Sequence, residues 1–206
     1  MHRRRTALSV SAAALLVAAP MLTACGSAPH PGAAAVVGKD RISVSQLQAQ
    51  VKNVRDAQRG SPQAEQLVAA SPRLGQDTLV RLIQYRIVDK AAEDNGVSVS
   101  RREVQRQRAA LENANGGAEA VRARFLSLGV APGQIDQAIK MDYTRAKLDQ
   151  KLGAARTNQV LMATSKSIGV DVNPRYGSWD AKRGTAQAAS EPWLRAATTP
   201  APEQQM

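Results

Sequence analysis

Apolar residues recur at helical spacing through most of this chain, and short alternating stretches flank that region at either end. Val36-Val37-Gly38-Lys39-Asp40-Arg41-Ile42 reads as strand, turn and strand, with apolar residues on both sides of a Gly-Lys-Asp turn. Ser43-Val44-Ser45-Gln46 then has the form of a capping box, in which Ser43 caps a helix and Gln46 reaches back to it. Val44, Leu47, Val51 and Val54 make one stripe on that helix, which fades near Gly60-Ser61-Pro62. From about Gln76, the residues Leu79, Leu82, Ile83, Ile87 and Ala91 form the most apolar face of the chain, and Asn95-Gly96 stops it. This is the expected core helix. A second capping box, Ser100-Arg101-Arg102-Glu103, opens a helix bearing Val104 and Leu111 that ends at Gly116-Gly117. Val121, Phe125 and Leu128 mark a short helix up to Gly129, and Ile135, Ile139, Tyr143 and Ala146 a longer one reaching toward Leu152. Ala154 to Lys166 is compatible with a helix but less periodic. Gly169-Val170-Asp171-Val172 alternates like a strand, and Asn173 to Trp179 carries turn chemistry. The pattern predicts a mainly α domain with a small β element.

The first residues follow a different rule. His2-Arg3-Arg4-Arg5 is a basic cluster, and the apolar run from Ala7 to about Ala19 is too short to span a bilayer as a finished helix. Leu22-Thr23-Ala24-Cys25-Gly26 comes next, and it resembles the bacterial lipobox, in which Leu and two small residues precede a cysteine that receives diacylglycerol. The resemblance implies that residues 1–24 are a lipoprotein signal peptide, and that Cys25 becomes a lipidated N-terminus carrying further acyl chains such as palmitate. Two other readings of Cys25 stand beside it: an ordinary residue near a conventional cleavage site, or a free thiol in an unprocessed chain. Residues 25–35 are expected to be a tether, 36–180 the folded domain, and 181–206, rich in Ala, Thr, Gln and Pro, a disordered tail.

Composition narrows the classes of function. Cys25 is the one cysteine, so a disulfide framework is excluded. No second apolar stretch approaches transmembrane length. Lys plus Arg number 28 against 17 Asp plus Glu, for a formal net charge of +11. Export argues against nucleic acid as the partner, and no basic motif with interleaved aromatics supports it. Anionic lipid headgroups, anionic wall polymers or acidic segments of client proteins are the alternatives, set against charges that only solvate helix faces.

The order of these elements resembles the N-terminal domain of SurA-like and PrsA-like extracytoplasmic chaperones, across roughly residues 35–180. A strand pair of the form Ala-Val-Val-Gly-x-x-x-Ile precedes a Ser-x-x-x-Leu helix, and the core helix has the form Leu-x-x-Leu-Ile-x-x-x-Ile-Val. Gly96-Val97-x-Val99-Ser100-x-x-Glu103-Val104 then opens the next helix, and Leu128-Gly129-Val130 leads to the last long one. The resemblance implies a mainly helical SurA N-terminal-like domain in which the strand at Val172 returns to the N-terminal pair. It also implies binding of unfolded or newly exported polypeptides. Many relatives carry a parvulin prolyl-isomerase domain between their helical halves, but Leu152 to Gly169 leaves no room for one. The paired histidines of such sites are also missing, since the chain's two histidines are His2 and His30.

Catalytic chemistry finds little purchase. Without a histidine in the folded region, Ser-His-Asp and Cys-His catalysis and most zinc sites fall away, and no cofactor or metal is expected. Glu93-Asp94 reads as a solvated helix end, because adjacent helical residues point to different faces. Tyr85, Phe125, Met141 and Tyr143 are candidate client-binding residues, since adaptable Met and aromatic surfaces suit varied ligands; the alternative is that they fill the core. Arg175, Tyr176 and Trp179 are expected in the terminal strand and its cap, with binding as the alternative. The expected function is therefore a lipid-anchored, non-enzymatic, chaperone-like protein on the extracytoplasmic face of the cell membrane. A lipoprotein docking one specific envelope partner is the alternative.

Overall fold

The computed structural model describes residues 32–187, so the signal segment, Cys25 and residues 188–206 of the tail lie outside the described residues. At its centre is β1 (Ala33–Val37), flanked by β2 (Asp40–Ser43) and β3 (Val170–Val172) in one antiparallel sheet of order β2-β1-β3. Val36 lies opposite Arg41 on one edge and Asp171 on the other. A register shift between Ala33 and Ala35 marks a bulge, and beside it Asn173 closes the strand, its backbone N–H donating to the Ala34 carbonyl and its Nδ2 to that of Ala33.

Two boundaries differ from the sequence reading. Ala33, Ala34 and Ala35, expected in the tether, are buried strand residues, because β1 has a partner on both edges and the helices cover it. Residues 181–187, expected in the disordered tail, complete a hairpin of β4 (Ser178–Asp180) and β5 (Thr185–Gln187). Asp180 organises its turn, its Oδ1 accepting from the backbone N–H groups of Lys182 and Arg183. Gln76 and Gln84 fix the hairpin to the helices by donating to the carbonyls of Gln187 and Gly184.

The helices run α1 (Val44–Arg59), α2 (Ala64–Ala69), α3 (Leu74–Asp94), α4 (Arg101–Ala114), α5 (Ala118–Ser127), α6 (Ile135–Leu152) and α7 (Ala154–Ile168). Ser43 caps α1, its hydroxyl accepting from the Gln46 N–H at 3.0 Å, but the expected return bond from the Gln46 side chain is not made. The stripe on α3 packs Leu79, Leu82, Ile83 and Ile87 with Ala34, Ala35 and Val37 of β1, Ile42 of β2 and Val172 of β3, making the main core. A second cluster joins Val104, Val121, Phe125, Ile135 and Ile139 across α4, α5 and α6. Helix α2 has no clear sequence signal. It is held by Leu67 against Val54, Leu74 and Leu126, and by a polar tie around Gln58. Gln58 is 1% exposed, and its Nε2 donates to Ser71 Oγ while its Oε1 accepts from Arg55.

The turn between β1 and β2 requires glycine. Gly38 has φ +61°, its N–H donates to the Gly169 carbonyl at 2.9 Å, and an added Cβ would lie 2.7 Å from Ile168 Cγ1. The turn is thereby seated on the end of α7.

The second capping box is complete: Ser100 Oγ accepts from the Glu103 N–H, and the Ser100 N–H donates to Glu103 Oε2. Lys147 of α6 reaches the same carboxylate at 2.9 Å and so joins α6 to the start of α4. The Ser100 backbone N–H foremost, then the Lys147 ammonium and the Ser100 hydroxyl, pull the Glu103 carboxyl down from 4.5 to about 2. A carboxylate lowered on folding stabilises the fold above its unfolded value, and that contribution is lost as pH falls through the folded one. Urea midpoints should therefore decline between pH 4.5 and pH 2, and Glu103→Gln should flatten that part of the profile; an unchanged slope would remove Glu103 as its cause.

Candidate functional site

The groove between α3, α6 and α7 starts from the spacing of apolar side chains on three helices. Ile87 and Val88 lie on α3, Met141 on α6, and Leu161 and Met162 on α7. Together they floor an open cavity of about 410 Å³. The hairpin makes the remaining wall, with Trp179 of β4 and the turn Ala181–Gly184. The Trp179 indole N–H donates to Ser165 Oγ of α7 at 2.9 Å, which holds the ring at the edge of the groove. Met162 is 43% exposed, a large apolar side chain left to solvent.

The rim is charged. Arg145 of α6 donates to Asn158 Oδ1 of α7 at 2.6 Å, bridging the two helices beside the floor. Lys182 and Arg183 stand on the hairpin turn, with Arg183 at 3.7 Å from Asp180. Asp142 lies on the α6 side, its carboxyl raised above the usual range by burial, an effect that the nearby Arg145 partly offsets. An apolar floor with side chains of several rotatable bonds accepts apolar groups of varied shape, and the rim adds a preference by charge. Among the described residues, no three His, Cys, Asp or Glu side chains are grouped to hold a metal ion.

The four candidate residues do not converge. Tyr85 is 6% exposed within the main core, where burial pushes its phenol up to about 12 against the opposing effect of Arg81. Phe125 is buried in the second cluster. Both therefore fill the interior, since each points along the apolar stripe of its helix. Tyr143 is half-buried on α6 with the Lys147 ammonium 5.8 Å from its ring centroid, away from the groove lining. Met141 alone of the four lines the groove. Tyr176 packs on the main core, and Trp179 does so while also forming the wall. Leu161 and Met162 were hard to single out in the sequence because the apolar side chains of α7 run together at Val160-Leu161-Met162 instead of recurring along one stripe.

A family model described as a SurA-like N-terminal domain matches residues 1–149. No curated protein and no solved structure matches the chain. The matched region ends within α6, so α3 and most of α6 lie inside it, while α7 and the hairpin that complete the groove lie beyond it.

Trp179→Ala should remove the wall of the groove and loosen the hairpin, at about 2 kcal/mol for a half-buried indole with one hydrogen bond. Limited proteolysis should then cut near Lys182 and Arg183 sooner than in the unaltered chain. Equal cleavage rates would show that the hairpin holds without the ring.

Proposed function

This chain belongs to the family of SurA-like N-terminal domains, and on that premise we propose that it is a chaperone-like lipoprotein binding unfolded or newly exported polypeptides without chemical change to them. The open groove floored by Met141, Leu161 and Met162 is the observation that carries this reading. A client segment would lay apolar side chains on that floor, each buried methylene contributing about 0.8 kcal/mol. No nucleotide or catalytic group is required for such binding, and release follows when the client folds and withdraws its apolar residues.

The anchor is the second part of the proposal. Leu22-Thr23-Ala24-Cys25 supports lipidation at Cys25, and two or more acyl chains make attachment stable. With β1 beginning at Ala33, the link from the lipid is shorter than the sequence alone suggests, at most about 25 Å when extended. The domain would stay within reach of the outer face of the membrane, where exported chains emerge unfolded. Arg101, Arg102 and Arg106 on the exposed side of α4 have no acidic partner among the described residues, and they support attraction to anionic headgroups or wall polymers. No helix among the described residues is long and apolar enough to cross a membrane.

The full chain, solubilised in detergent, should slow the aggregation of several unrelated reduced clients, and Met162→Lys should reduce that protection at least several-fold. Protection of none of them, or retention of a single stoichiometric partner on cross-linking, would replace this reading with that of a dedicated scaffold. Cys25→Ala should move the protein from the membrane pellet to the medium; a variant that stays in the pellet overturns the anchor.

A further inference from the structure

Resting on the reading of the groove as a client site, we propose that the hairpin selects among clients: Lys182 and Arg183 hold apolar polypeptide segments that carry Asp or Glu beside the apolar residues. The floor of Met141, Leu161 and Met162 takes apolar side chains of varied shape, so it ranks clients weakly. Charge at the wall can separate them. Among the described residues, four charged side chains line the groove: Asp142 and Arg145 on α6, and Lys182 and Arg183 on the hairpin turn. On α6 the charges answer each other, since Arg145 acts on the Asp142 carboxyl while its guanidinium donates to Asn158. The turn has no such balance. Lys182 has no acidic partner among the described residues, and Arg183 reaches Asp180 only at 3.7 Å.

The turn is built so that these two cations face outward. The Asp180 side chain is 18% exposed, against 77% for that of Arg183. Its Oδ1 accepts from the backbone N–H groups of Lys182 and Arg183 at 2.9 and 3.2 Å, and its Oδ2 from Gln187. The carboxylate that shapes the turn is therefore occupied by the hairpin itself. Gly184 closes the turn with φ +63°, its N–H donating to the Asp180 carbonyl at 2.8 Å. Its carbonyl accepts from Gln84 of α3 at 2.9 Å, which ties the turn to the helix that supplies Ile87 and Val88 to the groove. A carboxylate next to an apolar side chain seated on the floor would be attracted by this pair, and a Lys or Arg in its place repelled. The chain's net charge of +11 draws acidic segments from every side, whereas the turn sets two lightly partnered cations beside an apolar floor. The turn lies beyond the matched residues 1–149, so this selection belongs to the chain and not to the matched region.

Fluorescence anisotropy of labelled peptides, added to the full chain in nonionic detergent, reads the selection. Two short peptides share the apolar core Leu-Phe-Leu and differ in their flanks, Glu on both sides in one and Lys in the other. The Glu peptide should bind roughly ten-fold more tightly, since two exposed charge contacts contribute a few-fold each. That gap should close in about 1 M salt, where the Debye length is about 3 Å. Lys182→Glu with Arg183→Glu should reverse the order, and the gained affinity for the Lys peptide excludes a collapsed fold as the cause. Arg101→Glu with Arg102→Glu makes the same change of net charge on α4 and should leave the preference within about two-fold, because screening confines exposed charges to their surroundings. Equal binding of the two peptides, a preference that survives the turn substitutions, or an equal response to the α4 and turn substitutions overturns selection by the turn while leaving the client site in place. Binding of neither peptide to the unaltered chain removes the client site and the inference with it.

Discussion

The pairing of β1 on both edges is the constraint from which the rest of the molecule follows. Its five residues have β2 on one side and β3 on the other, and β3 lies at the far end of the folded chain. Once Ala35 faces Val172 and Val37 faces Val170, the helical segment between them must leave the sheet and return to it. Helix α3 covers the strand, with its apolar face meeting the buried alanines, and α6 and α7 pack on α3. The end of α7 is pinned where Gly38 and Gly169 share a backbone hydrogen bond. The groove exists because these three helices and the hairpin after β3 are brought together by that closure.

Much of the helical framework was legible because it is encoded locally. Ser43 and Ser100 mark helix starts through side-chain oxygens that accept backbone N–H groups within three residues. Gly96 marks a stop by adopting φ +61°, with the Val97 N–H returning to the Ala92 carbonyl. The stripe on α3 was plain from the spacing of Leu79, Leu82, Ile83 and Ile87. What escaped depends on distant partners. Ala33 to Ala35 carry too little apolar surface to signal a strand, yet they lie at the centre of the sheet. Helix α2 is held by Gln58 and Arg55 reaching Ser71 from another helix. The hairpin at the C-terminal side depends on amide side chains of α3.

The candidate site shows the same division. Aromatic residues on helical stripes face the core, as Tyr85 and Phe125 do. The groove draws instead on the margins of three stripes, where a residue such as Met141 or Leu161 is half-buried. Such positions become a surface only when the helices are placed side by side. Charge is distributed in a comparable way. Glu103 and Lys147 use theirs to fasten α4 to α6, whereas at the groove Asp142 lies near Arg145 and Lys182 has no acidic partner among the described residues.

The distance in sequence between β1 and β3 has a temporal side. A polypeptide appears N-terminus first, so β1 has one edge unmatched until residue 172 has emerged, more than a hundred positions later. Contacts of such long separation close slowly, because the intervening chain must first be ordered. Through that interval the alanine strand and the apolar face of α3 lack their final cover. Every newly made copy thus passes through the exposed, unfinished condition of the polypeptides it is proposed to receive, and its neighbours would meet it first as a client.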